Sequence, residues 1–169
     1  MKFSEYFLGE LDREAGRTRA VLLQVPPDKY EWQPHDKSMK FGPLADMVAS
    51  VPNWIAIQIT QDELDLAPAD GSRMKREPKT TSSALVQSLD ASLETARAAL
   101  KKASDKHLST HWKLKVGGNV VQEAPRYQMI QDTFNHWSHH RGQMTVYLRL
   151  LGAKVPATYG PSADEQAFR

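Results

Sequence analysis

Residues 129–151 read Met-Ile-Gln-Asp-Thr-Phe-Asn-His-Trp-Ser-His-His-Arg-Gly-Gln-Met-Thr-Val-Tyr-Leu-Arg-Leu-Leu, and how this stretch folds decides the rest. Proline is absent from it. Projected at ~100° per residue with His136 as zero, Met129, Thr133, His140, Gln143, Tyr147 and Leu151 fall within roughly 60° of one line. A helix from about Pro125 to Leu151 is therefore expected, with the proline in its first turn and Gly152 at its end. The line centred on His136 and His140 is expected to face the core. Arg141 and Arg149, about 140° to either side, are expected in solvent, and His139, about 60° the other way, is given no metal role.

A spacing of four residues stacks His136 and His140 one turn apart on one face. One helix can in this way offer two nitrogen ligands to a single ion. Two neutral imidazoles in a core each need a partner for their donor and their acceptor nitrogen. An ion would satisfy one nitrogen of each ring, and a second group would fix the other. Hydrogen bonds to Thr133, Gln143 or Tyr147 without any ion would satisfy the same rings, and the spacing alone does not choose between the two.

Upstream, Ser4 can cap a first helix to about Gln24, with Leu8, Leu11, Ala15, Thr18 and Leu22 in phase and Pro26-Pro27 stopping it. Pro43 opens a second helix carrying Leu44, Met47, Val48, Val51, Trp54 and Ile55, in which Pro52 is expected to make a kink or loosen a turn. Residues 62–79 hold Pro68, Gly71 and Pro78 and read as a long loop. A third helix begins near Thr81-Ser82-Ser83, with Leu85, Leu89, Leu93, Ala96 and Leu100 as its stripe. Trp112 to Val121, alternating around Gly117-Gly118, reads as a small hairpin. Val155 to Arg169 reads as coil along the bundle. The expected fold is one all-α domain over 1–169: an antiparallel four-helix bundle with a small β-hairpin between helices 3 and 4.

At 169 residues, folding buries roughly 70% of the unfolded chain's surface, enough for a core without staples. The chain has no cysteine, which excludes disulfides, thiolate metal ligands and a cysteine nucleophile. Glu10, Asp12 and Glu14 interrupt the N-terminal apolar run, so no signal peptide is read there, and no stretch has the roughly 18 apolar residues of a membrane span. A cytoplasmic address is expected. The 22 basic and 20 acidic residues nearly balance, for a net charge of +2. That balance offers no footprint for nucleic acid or an anionic membrane. The densest basic run, Arg73, Lys75, Arg76 and Lys79, sits between Gly71 and the turn residues near Pro78 and reads as a solvated loop.

His136-Trp137-Ser138-His139-His140-Arg141-Gly142-Gln143, then Tyr147-Leu148-Arg149 and Leu151-Gly152, resembles the final-helix signature of the DinB/YfiT family. Val155-Pro156 and Tyr159-Gly160-Pro161-Ser162-Ala163-Asp164-Glu165 are similar to the family's segment after that helix, and Pro34, Ser38, Gly42-Pro43-Leu44 and Trp54 resemble the approach to the family's second helix. The resemblance implies a four-helix bundle, often a homodimer, with three ligands for nickel, zinc or a similar ion: one from helix two and two, here His136 and His140, from helix four. It also implies bacterial stress proteins acting as transferases or isomerases on a small-molecule substrate with a low-molecular-weight thiol. At the helix-two ligand position this chain has Met47, whose thioether is a poor ligand for such ions beside imidazoles. Three readings of the pocket stay open: a weakened two-histidine site; a site completed by His35, Asp46 or a ligand; and a metal-free polar pocket involving Gln143 and Tyr147. The same sequence thus admits a metal-dependent thiol transferase or hydrolase and a non-catalytic bundle used for ligand binding or dimerisation. Another branch, the sulfoxide synthases with His-x-x-x-His-x-Glu, is set aside because Gly142 stands at the Glu position.

Overall fold

The computed structural model describes residues 1–71 and 79–166. In chain order it runs α1 (Phe3–Leu22), α2 (Phe41–Ser50), α3 (Pro52–Thr60), β1 (Glu63–Asp65), α4 (Ser82–Lys102), α5 (Asp105–Leu108), β2 (His111–Val116), β3 (Asn119–Pro125) and α6 (Arg126–Leu150). The expected all-α four-helix bundle is therefore corrected. Among the described residues six helices accompany a three-stranded mixed sheet ordered β1-β2-β3, in which β1 is parallel and β3 antiparallel to β2.

The expected hairpin is present, with Gly117 and Gly118 at φ +59° and +81°. A two-residue turn with positive φ at both positions matches the right-handed twist of the strands, and glycine adopts it without steric cost. The third strand lies inside the stretch expected as loop. Asp65 recruits it: its carboxylate accepts the backbone N–H groups of Ala67, Gly117 and Gly118 and so ties β1 to the hairpin turn. Lys115 and Glu63 form an ion pair across the same edge at 2.6 Å. A three-residue strand shows no periodicity to read. Arg73, Lys75 and Arg76, read as solvated loop, lie outside the described residues.

The second expected helix is interrupted at Pro52 by a loosened turn, one of the two expected outcomes: α2 and α3 meet at Val51, which keeps helical dihedrals of φ -52° and ψ -39°. Pro52 has no N–H, so the Val48 carbonyl loses its donor four residues on. The buried Trp137 supplies the replacement, its Nε1–H donating to Val48 O at 2.8 Å. Trp137→Phe should therefore cost about 1–3 kcal/mol for the unsatisfied carbonyl, beyond lost packing. In a Pro52→Ala background the new N–H restores the helical bond, and Trp137→Phe should cost less. Urea midpoints of the four proteins check this, and equal costs in both backgrounds would refute it.

α4 packs on α1, α2 and α3, and α6 packs on the same three from the other side. The sheet lies over α3 and the start of α6, where Trp112 meets Ile57 and Met129. Up to residue 166 the tail after α6 is coil, as expected, and buries Ala157. Among the described residues no helix is long and apolar enough to cross a membrane.

The orientation of α6 differs from the wheel. Its buried residues include Met129, Ile130, Thr133, Phe134, Trp137, Arg141, Met144, Tyr147 and Leu148. That face centres near Trp137, one residue and so about 100° away from His136. His136 and His140 thus sit on the flank of the helix rather than in the core. Arg141, expected in solvent, is only 1% exposed, while Arg149 is exposed and paired with Asp164 at 2.7 Å.

Candidate functional site

The flank of α6 holds a histidine cluster. The His136 ring stacks on Trp54 of α3 with centroids 6.2 Å apart, but the residue is exposed to solvent rather than in the core. One turn on, the half-buried His140 ring meets it edge-on at 4.3 Å. His140 Nδ1 donates to Gln143 Oε1 at 2.8 Å. In a neutral ring this bond keeps the proton on Nδ1 and leaves the lone pair on Nε2. The Gln143 amide nitrogen donates in turn to His139 Nε2 at 3.1 Å, so His139 spends its acceptor nitrogen on Gln143. Partial burial, reinforced by the neighbouring His140 and His139, pushes the His136 imidazole below its usual value. The ring is therefore neutral at pH 7 and can offer a lone pair of its own.

The other expected pocket residues lie elsewhere. Tyr147 is buried between Trp32 and Phe41, its hydroxyl donating to Met39 O at 3.0 Å, and it closes one end of the core. His35 is exposed in the connector before α2, where its Nδ1 accepts the Lys37 N–H. Asp46 faces a different cavity, shared with Tyr30 and Pro43. Met47 packs partly buried against the main core. Among the described residues no three histidine, aspartate or glutamate side chains are placed to share one ion. The donors present are two neighbouring imidazoles, His136 and His140. They do not fit a closed three-ligand centre.

His136 stands at the edge of a cleft of about 250 Å³ between the sheet and the α3–α6 pair. Its walls are mainly apolar: Val51 and Trp54 from the helices, Leu66, Trp112 and Leu114 from the sheet side, and Met129. Four side chains of the polar wall pair with one another. Gln58 Nε2 donates to Thr133 Oγ1 at 2.9 Å, and Gln122 Nε2 to Asp132 Oδ2 at 3.1 Å. The helical wheel gave no sign of this cleft, because it joins residues from a short hairpin to residues on two helices. Trp112 alternating with Leu114 on one strand face was the available signal.

On the opposite flank of α6 sits a buried ion pair that the sequence reading missed. Arg141 donates to the Glu14 carboxylate and to Thr18 Oγ1. Arg17 and the Tyr159 hydroxyl also donate to Glu14, and the Arg17 guanidinium lies 4.4 Å over the Tyr159 ring. Burial pushes the Glu14 carboxyl up, but the Arg141 charge and the three donors outweigh it and hold the group below the usual glutamate range. The arrangement ties the C-terminal tail to α1 and α6.

The comparisons agree with this architecture. The profile described as the DinB family matches residues 1–167. YrdA of Bacillus subtilis is 26% identical over 166 residues, covering 96% of this chain and 92% of that protein. The crystal structure of a DinB-like protein from Bacillus subtilis superposes with a TM-score of 0.68 at 18% identity, covering 96% of this chain and 99% of that one. A DinB-like protein from Bacillus cereus gives 0.68 at 21% identity, covering 92% and 97%. With a family profile spanning nearly every residue and solved relatives sharing its fold, this chain belongs to the DinB family.

Proposed function

We propose that this chain binds one divalent transition ion through His136 and His140, beside a cleft that receives a small-molecule substrate. The observation that carries the reading is the His140–Gln143 hydrogen bond. A ligating imidazole characteristically donates its other N–H to an oxygen, which fixes tautomer and ring direction. Gln143 does this for His140, and His136, pushed below its usual value, adds a neutral ring beside it. Trp54 lies beside the His136 ring, its centroid 6.2 Å away, and supports this orientation of the ring. An ion so held would supply Lewis acidity that lowers the pKa of a bound thiol or water. Because the protein lacks cysteine, a thiol nucleophile would come from a low-molecular-weight cosubstrate.

The test is titration with nickel or zinc. About one ion per chain is expected. His140→Ala should keep the far-ultraviolet circular dichroism of the native fold and lose tight uptake. Gln143→Leu should weaken binding about 10- to 100-fold, as loss of an orienting partner does. Unchanged affinity in His140→Ala would overturn the assignment.

Met47 and the absence of a third ligand among the described residues favour a second reading, a ligand-binding member without catalysis. The two part on one measurement. Metal-loaded protein that generates thiolate from a low-molecular-weight thiol at neutral pH supports the transferase. Normal metal uptake with no thiolate band supports the binding module.

A further inference from the structure

Trp112 is 1% exposed, and its Nε1 has no hydrogen-bond partner among the described residues. A buried donor left unsatisfied carries its full desolvation cost, so such groups are rare and call for an explanation. The strand register does not explain this one, since a residue of the alternating hairpin could be any large apolar side chain. Phenylalanine or leucine would fill the space between Ile57 and Met129 without a stranded N–H. Trp112 also lines the cleft beside His136.

The cleft has the other marks of a small-molecule site. Its lining is mainly apolar, and Gln58, Thr133, Gln122 and Asp132 are already paired with one another. Its volume lies below the ~300–1,000 Å³ of drug-sized sites, which limits the occupant to about one ring or a short branched chain. The α6 residue packed in the same small cluster as the indole is Met129, unbranched and able to change rotamer at little cost.

We infer that the cleft binds a small apolar molecule bearing a carbonyl or carboxyl oxygen, which accepts the Trp112 indole N–H when Met129 yields. The apolar body lies between Trp54 and Leu114, and the remainder of the molecule points past Asp132 towards His136. This rests on the reading that the cleft is the substrate side of the histidine pair. It adds the substrate class: a compact carbonyl compound, oriented by one fixed donor.

Acetophenone and ethylbenzene serve as matched probes, alike in shape and differing in the acceptor oxygen. The readout is the indole N–H resonance of Trp112, identified by its disappearance in Trp112→Phe. Acetophenone should shift that resonance and bind about 3- to 10-fold more tightly than ethylbenzene, the scale of one neutral hydrogen bond. In Trp112→Phe, which keeps an aromatic ring in place, the two probes should bind equally. His140→Ala should leave the acetophenone shift intact while losing metal. Acetophenone that binds no better than ethylbenzene, or leaves the indole resonance in place, overturns the inference. If metal uptake is normal in that case, the histidine assignment survives it. A water bound at the indole, seen as a cross-peak that acetophenone does not displace, also overturns it.

Discussion

Glu14→Gln should destabilise the fold by about 3–5 kcal/mol at pH 7, the range seen when one member of a buried ion pair is removed. Glu14 is 4% exposed and Arg141 1%. Glutamine keeps the size of the side chain and one carbonyl oxygen, so packing is not what is lost. The loss is the negative charge, which leaves the Arg141 guanidinium in the core facing a neutral amide. The pH dependence comes from the depressed Glu14 carboxyl. With the folded value below the unfolded one, the unfolded chain takes up the proton first. The stabilisation is complete above the ordinary glutamate value of about 4.3 and drains away as pH falls through the lower folded value. Urea unfolding of wild type and Glu14→Gln from pH 7 down to about 3 should thus show two curves that converge at the acid end. Parallel curves across that window would mean that the pair does not titrate as a unit.

That pair also shows why α6 was legible in kind but not in orientation. Its length and limits were readable: proline at the start, glycine at the end, and no breaker between. Its facing was not, because hydrophobicity is the signal for facing and α6 buries two arginines, Arg126 and Arg141. Each arginine at a core position moves the apparent apolar stripe, and two imidazoles on the flank attract attention to the wrong line. The partners that make Arg141 buriable, Glu14 and Tyr159, lie 127 and 18 residues away along the chain. No local pattern can reveal them. The adjacency of the two histidines survives the correction for a related reason, while the expectation that both rings face the core does not. Residues at i and i+4 stay adjacent whichever way the helix is turned. What changed is their surroundings: a flank with Trp54 on one side and Gln143 on the other, in place of a sealed core. The break at Pro52 was readable as a disturbance, whereas its repair by Trp137 needed the tertiary fold. β1 was beyond reach because three residues carry no period, and its anchor is a single aspartate.

Arg126→Met should lower stability by about 2–4 kcal/mol, and the loss should be concentrated where α3, β2 and α6 meet. The Arg126 guanidinium, 2% exposed, donates to the carbonyls of Gln58 and Gln61 and, through Nε at 3.0 Å, to Thr110 Oγ1. Those two carbonyls are among the groups left without helical donors at the end of α3, where the helix dipole also favours a positive charge. Methionine fills similar space with no donor, so the acceptors are stranded. The ion pair to Asp62 is a minor part, because that carboxylate is 95% exposed and solvent screens it. Asp62→Ala should accordingly cost at most about 0.5 kcal/mol. The two substitutions separate the explanations: similar costs would mean that the salt bridge matters and the carbonyls do not. The locality matters for the cleft. Gln58 and Trp112 stand on its walls, and Arg126 holds the backbone beside both: the Gln58 carbonyl directly, and the start of β2 through Thr110. Amide exchange in Arg126→Met should therefore quicken at Thr110 and along β2 before it quickens in α1 or α4. If protection falls evenly across the molecule instead, Arg126 stabilises the fold globally and has no special hold on the cleft.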